Sequence, residues 1–206
     1  MAKKVLLMLH RFKVPYIDLS SQFSENKEEL SKIILDIAQS GQFILRKEVS
    51  MLESKISEYL NVQYSVGVNS GTDALFLGLK ASGIKEGDEV ITVSHTFVAT
   101  IASIVHCGAK PILTDICDDG NIDINKIEPL ITNKTKAIMV VHMNGKICDM
   151  DPIVKLANQY NLDIFEDAAQ AFGATYKGKF AGSFGKFGAF SFHPMKVLGA
   201  MGDGGI

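Results

Sequence analysis

The chain has no tryptophan, five prolines and three cysteines among its 206 residues. Cys107, Cys117 and Cys148 stand far apart, without the paired spacing of a zinc site, and an odd, scattered set argues against a disulfide framework. That usage fits a reducing, cytoplasmic setting. No apolar run approaches the ~20 residues of a membrane-spanning helix, so no membrane role is expected. Charge of one sign is also lacking: 21 Lys and Arg face 23 Asp and Glu, a formal net charge of -2. Such a balance offers no basic surface for nucleic acid. Val5 to Leu9, behind Lys3 and Lys4, resembles the opening of a signal peptide, but His10 and Arg11 cut the apolar part short. Residues 1–13 therefore read as an irregular extension. Repeats, low-complexity tracts and obvious linkers are absent from residues 14–206.

What the chain does have is a 47% apolar share, enough for a sizeable core. Leu30, Ile33, Ile34, Ile37 and Ala38 recur at helical spacing, which predicts an amphipathic helix over residues 25–39, stopped by Ser40 and Gly41. A second helix is predicted over residues 48–59, with Val49, Leu52, Ile56 and Tyr59 inward. Then strands and helices alternate. Strands are expected over residues 64–68, 89–93, 111–114, 136–142 and 162–165. Helices are expected over residues 71–81, 97–107 and 123–131. A further helix opens with Asp151 as its cap and Pro152 in its first position, burying Ile153, Leu156, Ala157 and Tyr160. A last strand runs from Phe187 to Phe192, closed by Pro194, which has no N–H to donate. This alternation implies βαβ units, an α/β fold and a mainly parallel sheet flanked by helices. Sheets of that kind bind ligands outside the carboxyl ends of their strands.

The residues at those ends carry chemistry. Ser70, Gly71 and Thr72 lead into a helix, where free N–H groups and the helix dipole attract a phosphate; a plain N-cap by Ser70 or Thr72 is the alternative. Phe97 leaves the sheet where it can lie against a planar ligand, or else it is a core phenylalanine opening a helix. His95 beside it reads as a loop histidine. Glu166 and Asp167 close an apolar strand, where a carboxylate is costly unless it meets a cation. Asp167 is the better candidate, with a protonated pyridine nitrogen as a suitable partner; an N-cap or an ion pair with Lys186 is the alternative. Gln170, one helical turn on, can reach the same ligand. Lys196 sits among Gly199, Gly202, Gly204 and Gly205, where close backbone approach is easy. A lysine held near buried surface can lose its proton and form a Schiff base; the alternative is a surface lysine beside a flexible loop. Ser191 adds a hydroxyl. Together these supply what pyridoxal 5'-phosphate requires: a phosphate cradle, an aromatic face, a carboxylate for the ring nitrogen and a lysine for the aldehyde.

These motifs resemble the DegT/StrS family of nucleotide-sugar aminotransferases, of pyridoxal-phosphate fold type I. The resemblance runs from about Val14 to Ile206. It is carried by Pro15 to Leu19, Ser70 to Leu75, Gly87 to Ile91, Thr96 to Thr100, Glu166 to Gln170 and Ser191 to Lys196. It implies that residues 14–206 are the N-terminal portion of the cofactor-binding large domain, without the C-terminal small domain. It further implies that Lys196 holds the cofactor and shuttles protons, and that Asp167 pairs with the pyridine nitrogen. Gln170 would lie near the ring hydroxyl and Phe97 would stack on the ring, while Gly71, Thr72 and Ser191 would hold the phosphate. Relatives that dehydrate sugars carry histidine at the place of Lys196, so lysine points to amino transfer. The implied activity moves an amino group, from glutamate, to a nucleotide-linked keto-deoxysugar for aminosugar and polysaccharide biosynthesis. The implied assembly is a homodimer with active sites at the interface. Two features depart from the pattern: Arg46 stands where glycine is usual, and the chain is about half a normal member's length. The second departure keeps another reading open, a non-catalytic fragment or one half of a split protein. A pyridoxal-phosphate-dependent sugar dehydratase is a further alternative.

Overall fold

The computed structural model describes residue 14 and residues 16–206. The irregular extension expected over residues 1–13, and Pro15 of the first motif, lie outside the described residues. The chain divides into two compact units at Arg46 and Lys47.

In the first unit a short helix that the spacing did not predict, α1 (Leu19–Glu25), precedes α2 (Lys27–Ser40), which is the helix expected over residues 25–39. Asp18 caps α1 by accepting from Ser21 N–H at 3.1 Å. Asn26 ends it, donating its N–H to Phe23 O at 3.1 Å, and opens α2 by accepting from Leu30 N–H at 3.0 Å. Gly41 closes α2 at φ 62, donating to Ala38 O, as Ser40 and Gly41 foretold. The apolar stripe of α2 is not buried within the unit: Ile33 and Ile34 are exposed. The unit ends in a turn with Leu45 at φ 48, tied back by Arg46, whose guanidinium donates to Gln42 O at 3.0 Å and to Ser40 Oγ.

The second unit holds a five-stranded sheet. Its strands are β1 (Glu89–Val93), β2 (Lys110–Thr114), β3 (Thr135–Val141), β4 (Asp163–Asp167) and β7 (Phe187–Ala189), in the order β2-β1-β3-β4-β7. Every neighbouring pair is parallel. A small hairpin, β5 (Thr175–Tyr176) and β6 (Lys179–Phe180), lies between β4 and β7 in sequence. Alternate side chains of each strand go to opposite faces. Val90, Met139 and Phe165 pack with Leu75 and Leu79 of α4 (Gly71–Ala81) and with Ile104 of α5 (Val98–His106). Ile91, Ile138, Val140 and Ile164 pack on the other face with Ile153 and Ala157 of α6 (Met150–Tyr160). Leu79, Ile104 and Ile138 are wholly buried, and each contributes about 2 kcal/mol of apolar burial. Helix α4 and strand β1 take the residues expected of them.

Several expectations need correction. Residues 64–68 do not form a strand. Only Val68 pairs, in one antiparallel bridge to Gly205, which also bridges Ser191. Tyr64 and Val66 stay exposed, with no adjacent ladder to satisfy an extended backbone. The last strand ends at Ala189, where its partner Asp167 ends, well before Pro194. Beyond it, Phe190 and Phe192 bond to Ile206 and Gly204 instead. Residues 123–131 make two short 3₁₀ turns, Ile124–Lys126 and Glu128–Leu130, because Pro129 lacks the N–H that an α-helix would return to Asn125. Helix α6 starts earlier than expected, with Asp149 as its cap residue; Asp151 lies in the first turn and pairs with Lys177. Tyr160 is exposed and donates its hydroxyl to Glu128. In α3 (Lys47–Leu60) only Ile56 and Leu60 are buried, while Val49, Leu52 and Tyr59 are exposed. The buried pair belongs to a third cluster with Phe190, Phe192 and Ile206, so the helix packs by its last turns.

Candidate active site

The start of α4 and the segment after β7 meet. Ser70 caps α4, accepting from Asp73 N–H at 3.0 Å, so the capping alternative holds for Ser70. Thr72 is left exposed in the first turn, whose N–H groups have no partner within the helix. A Cβ on Gly71 would fall 2.8 Å from Ser191 Cβ and 3.2 Å from its Cα. A Cβ on Gly205 would fall 2.3 Å from Ser70 O. Glycine at both positions lets three backbone segments close around one small space. Gly71 and Ser191 therefore share one corner at the start of α4, with Thr72 the next residue of the helix, and free N–H groups at a helix start beside a hydroxyl suit an anion such as phosphate. Ser191 Oγ meanwhile accepts from His193 N–H at 3.3 Å.

Asp167 is the last residue of β4 and is buried. Its Oδ2 accepts from Thr100 Oγ1 at 2.6 Å, and its Oδ1 accepts from Ala169 N–H at 3.2 Å. Burial pushes its carboxyl above the ordinary value. The Thr100 hydroxyl, the Ala169 N–H, the Lys196 ammonium and the His142 ring pull the other way, in that order. The ion pair with Lys186 does not form, because Lys186 bonds Asp163 at 2.8 Å. A buried carboxylate that bonds only neutral donors has room for a cationic partner, and a protonated pyridine nitrogen is one.

Lys196 is half-buried, in a turn where its N–H donates to His193 O at 2.8 Å, and its charge reaches Asp167. Its neighbours Met195, Val197 and Leu198 are exposed. Phe97 is not a core residue: it precedes α5 with 66% of its surface exposed, free to cover a flat ligand. Gln170 is not on a helix. It follows β4 in a turn, and its Oε1 accepts from Asn144 N–H at 2.7 Å. His95 is an exposed loop residue whose Nδ1 lies 3.1 Å from Gly120 O.

Three residues within the motifs make contacts that the motifs did not reveal. Thr100 touches Asp167 directly, and Thr96 touches Thr100 at 2.6 Å between hydroxyls. Thr96 lies on the loop before α5 and Thr100 in its first turn, so no periodicity within one element announced the contact. Glu166 is the third. It is wholly buried and accepts from Gly182, Phe184 and Gly185 N–H at 2.7, 2.6 and 2.7 Å, with His142 Nε2 at 3.0 Å. His142 Nδ1 accepts from Cys148 N–H at 3.3 Å, so its proton sits on Nε2 and is donated to Glu166. No sequence signal marked that cluster. Among the described residues no group of His, Cys, Asp and Glu is arranged to hold a metal, and no helix is long and apolar enough to cross a membrane.

Residues 24–206 match the profile of the DegT/DnrJ/EryC1/StrS aminotransferase family. The chain is 43% identical over 194 residues to a Geobacillus stearothermophilus protein named pleiotropic regulatory protein, covering 94% of this chain and 52% of that one. It is 40% identical over 194 residues to a dTDP-3-amino-3,4,6-trideoxy-alpha-D-glucose transaminase of Streptomyces venezuelae, covering 94% and 51%. Among solved structures, that of NtdA from Bacillus subtilis with bound cofactor PMP superposes with a TM-score of 0.87 at 36% identity, covering 94% of this chain and 44% of that one. The chain spans about half the length of the curated relatives it matches.

Proposed function

The chain belongs to the DegT/DnrJ/EryC1/StrS aminotransferase family, and we propose that the protein moves an amino group, with glutamate as donor, to a keto group on a nucleotide-linked deoxysugar. The observation that carries this reading is the buried carboxylate of Asp167, which bonds only neutral donors at the end of β4, together with the closed corner that Gly71 and Ser191 form after β7. Pyridoxal 5'-phosphate, when bound, supplies an electron sink for breaking and making bonds at the amino-bearing carbon. The residues present fit it. Asp167 would hold a proton on the ring nitrogen. Gly71 N–H, the Thr72 hydroxyl and the Ser191 hydroxyl would take the phosphate, and the ring of Phe97 would cover one face. Gln170 would lie near the ring hydroxyl if its side chain left Asn144. Lys196 Nζ would hold the aldehyde carbon and then move a proton to and from the substrate carbon.

A homodimer in the cytoplasm, serving polysaccharide or other aminosugar synthesis, completes the proposal. The exposed apolar residues of the first unit, among them Ile33, Phe43, Ile44 and Leu45, support an interface. The experiment uses the full-length protein with pyridoxal phosphate, glutamate and a panel of nucleotide keto-sugars. Formation of an aminosugar with release of 2-oxoglutarate supports the proposal. A deoxygenated sugar would mean dehydration instead, and a wild type that takes up no cofactor would defeat both.

A further inference from the structure

We propose that the hydroxyls of Thr96 and Thr100 form a two-step relay that holds Asp167 ionised toward the ring nitrogen of bound pyridoxal phosphate, which makes Thr100 a positioning residue. The inference rests on the functional reading above and adds residues to the same site. Thr100 has no exposed surface, and its Oγ1 lies 2.6 Å from Asp167 Oδ2 and 2.6 Å from Thr96 Oγ1. A threonine hydroxyl has one proton to donate and can accept at the same time. With Asp167 ionised, Thr100 donates to the carboxylate and Thr96 donates to Thr100. With a proton on Oδ2 the order reverses: Asp167 donates to Thr100, Thr100 donates to Thr96, and the Thr96 proton turns outward. Ala169 N–H serves Oδ1 in both states.

Both orders keep the same two contacts, but the ionised one is favoured, because a hydroxyl donates more strongly to a charged carboxylate than it accepts from a carboxylic acid. Thr96 is the outer end of the chain of hydroxyls, half-buried on the loop that follows β1. The remaining groups that act on this carboxyl are His142, at the end of β3, and Lys196, in the turn after β7. The His142 ring nitrogens are engaged by Glu166 and Cys148 N–H, and Lys196 has its own role at the aldehyde. That leaves the Thr100 hydroxyl as the contribution of α5 to the charge of Asp167. Without it Oδ2 would face apolar surroundings, bind its proton more tightly, and lose its hold on a protonated ring nitrogen.

The test compares two probes on the full-length protein. One is pyridoxal 5'-phosphate. The other is its 1-deaza analogue, which keeps the aldehyde and the phosphate but has C–H in place of the ring nitrogen. Affinities are read by equilibrium titration. The expected result is that Thr100→Val weakens pyridoxal phosphate by about tenfold or more and leaves the analogue's affinity at the wild-type value. Thr100→Ser, which keeps the hydroxyl, restores the affinity. Thr96→Val gives a smaller loss, again for pyridoxal phosphate alone. Equal weakening of both probes means a packing role and overturns the proposal, as does no weakening of either. Should Thr100→Val fail to fold, Thr96→Val decides by the same comparison. A wild type that binds neither probe sinks the functional reading itself, a result distinct from any of these.

Discussion

Glu166 and Asp167 are adjacent in the chain, and β4 turns their carboxylates to opposite faces of one sheet. Glu166 points with Ile164 toward the α6 side, and Asp167 points with Phe165 toward α4 and α5. Glu166 meets four donors, three of them backbone N–H groups of the turn over residues 182–185. Its oxygens are fully used, so it pins the turn that precedes β7. Asp167 meets two neutral donors and keeps capacity for a ligand. One carboxylate holds the scaffold and its neighbour is left for chemistry.

The scaffold role makes Glu166→Gln strongly destabilising. An amide turns an N–H group toward N–H donors and leaves at least one of them unpaired in the interior. The expected loss is about 3 kcal/mol or more. Urea unfolding of the full-length protein measures it, and a loss within error of zero would contradict the pinning role.

Asp167 behaves in the opposite way when the cofactor is removed. Burial raises its folded-state value above the ordinary 3.8, so the folded protein binds the proton more tightly than the unfolded chain does. Its contribution is then most favourable below pH 3.8 and is lost as pH rises through the raised value. Without cofactor, Asp167→Asn is expected to melt higher than wild type at neutral pH, and the gap should close as pH falls toward 3.8. Thermal melts across that range check it. With cofactor present the order should invert, since the amide cannot hold a charged ring nitrogen.

Lys196→Ala should abolish the absorbance band of the lysine–cofactor linkage in the reconstituted protein and lower turnover by at least about 100-fold. Its fold should survive, because the lysine is half-buried and the turn is held by backbone bonds such as Lys196 N–H to His193 O. A far-ultraviolet circular dichroism spectrum matching wild type, beside loss of the linkage band, is the expected pair of observations.

Gly71→Ala tests the closed corner. The new methyl would meet Ser191 Cβ at 2.8 Å and its backbone Cα at 3.2 Å. Better helix propensity at that position would not offset the overlap, and the variant should lose about 1–3 kcal/mol. Phosphate-containing ligands should bind more weakly, whereas a variant at exposed Thr72 should lose binding without losing stability. Parallel melting and cofactor titrations separate the two.

The start of α1 should depend on acid. Asp18 is held down to about 2 by the Ser21 hydroxyl first, then the Ser20 hydroxyl and the Ser21 N–H. Because the folded value lies below the ordinary 3.8, the cap's contribution is present above pH 3.8 and fades as pH falls through about 2. Amide exchange over residues 19–25 should accelerate in that window, and Asp18→Ala should show the fast rates at neutral pH as well. Pulse-labelled exchange would report either outcome.

The sequence by itself determined the elements whose signals are local. Helix α4 carries its spacing and its last turn within eleven residues, with its cap Ser70 immediately before them, and β1 is an apolar run that a buried parallel strand requires. It also singled out Gly71, Asp167, Ser191 and Lys196, because together they could hold a phosphate-bearing ring, even though each alone has an ordinary structural use as a cap, an ion pair or a surface residue. Tertiary structure alone decided the rest. Residues 64–68 read as a strand but need a neighbour along their whole length, and only Gly205 reaches Val68. Val49 and Leu52 read as inward, yet burial depends on what packs against a helix, and the third cluster reaches only Ile56 and Leu60. The hydroxyl of Thr100 is an ordinary helix residue until α5 packs over the end of β4 and brings it to Asp167. Periodicity is a property of one segment's backbone, whereas pairing and burial belong to two segments at once, so a single stretch cannot state them.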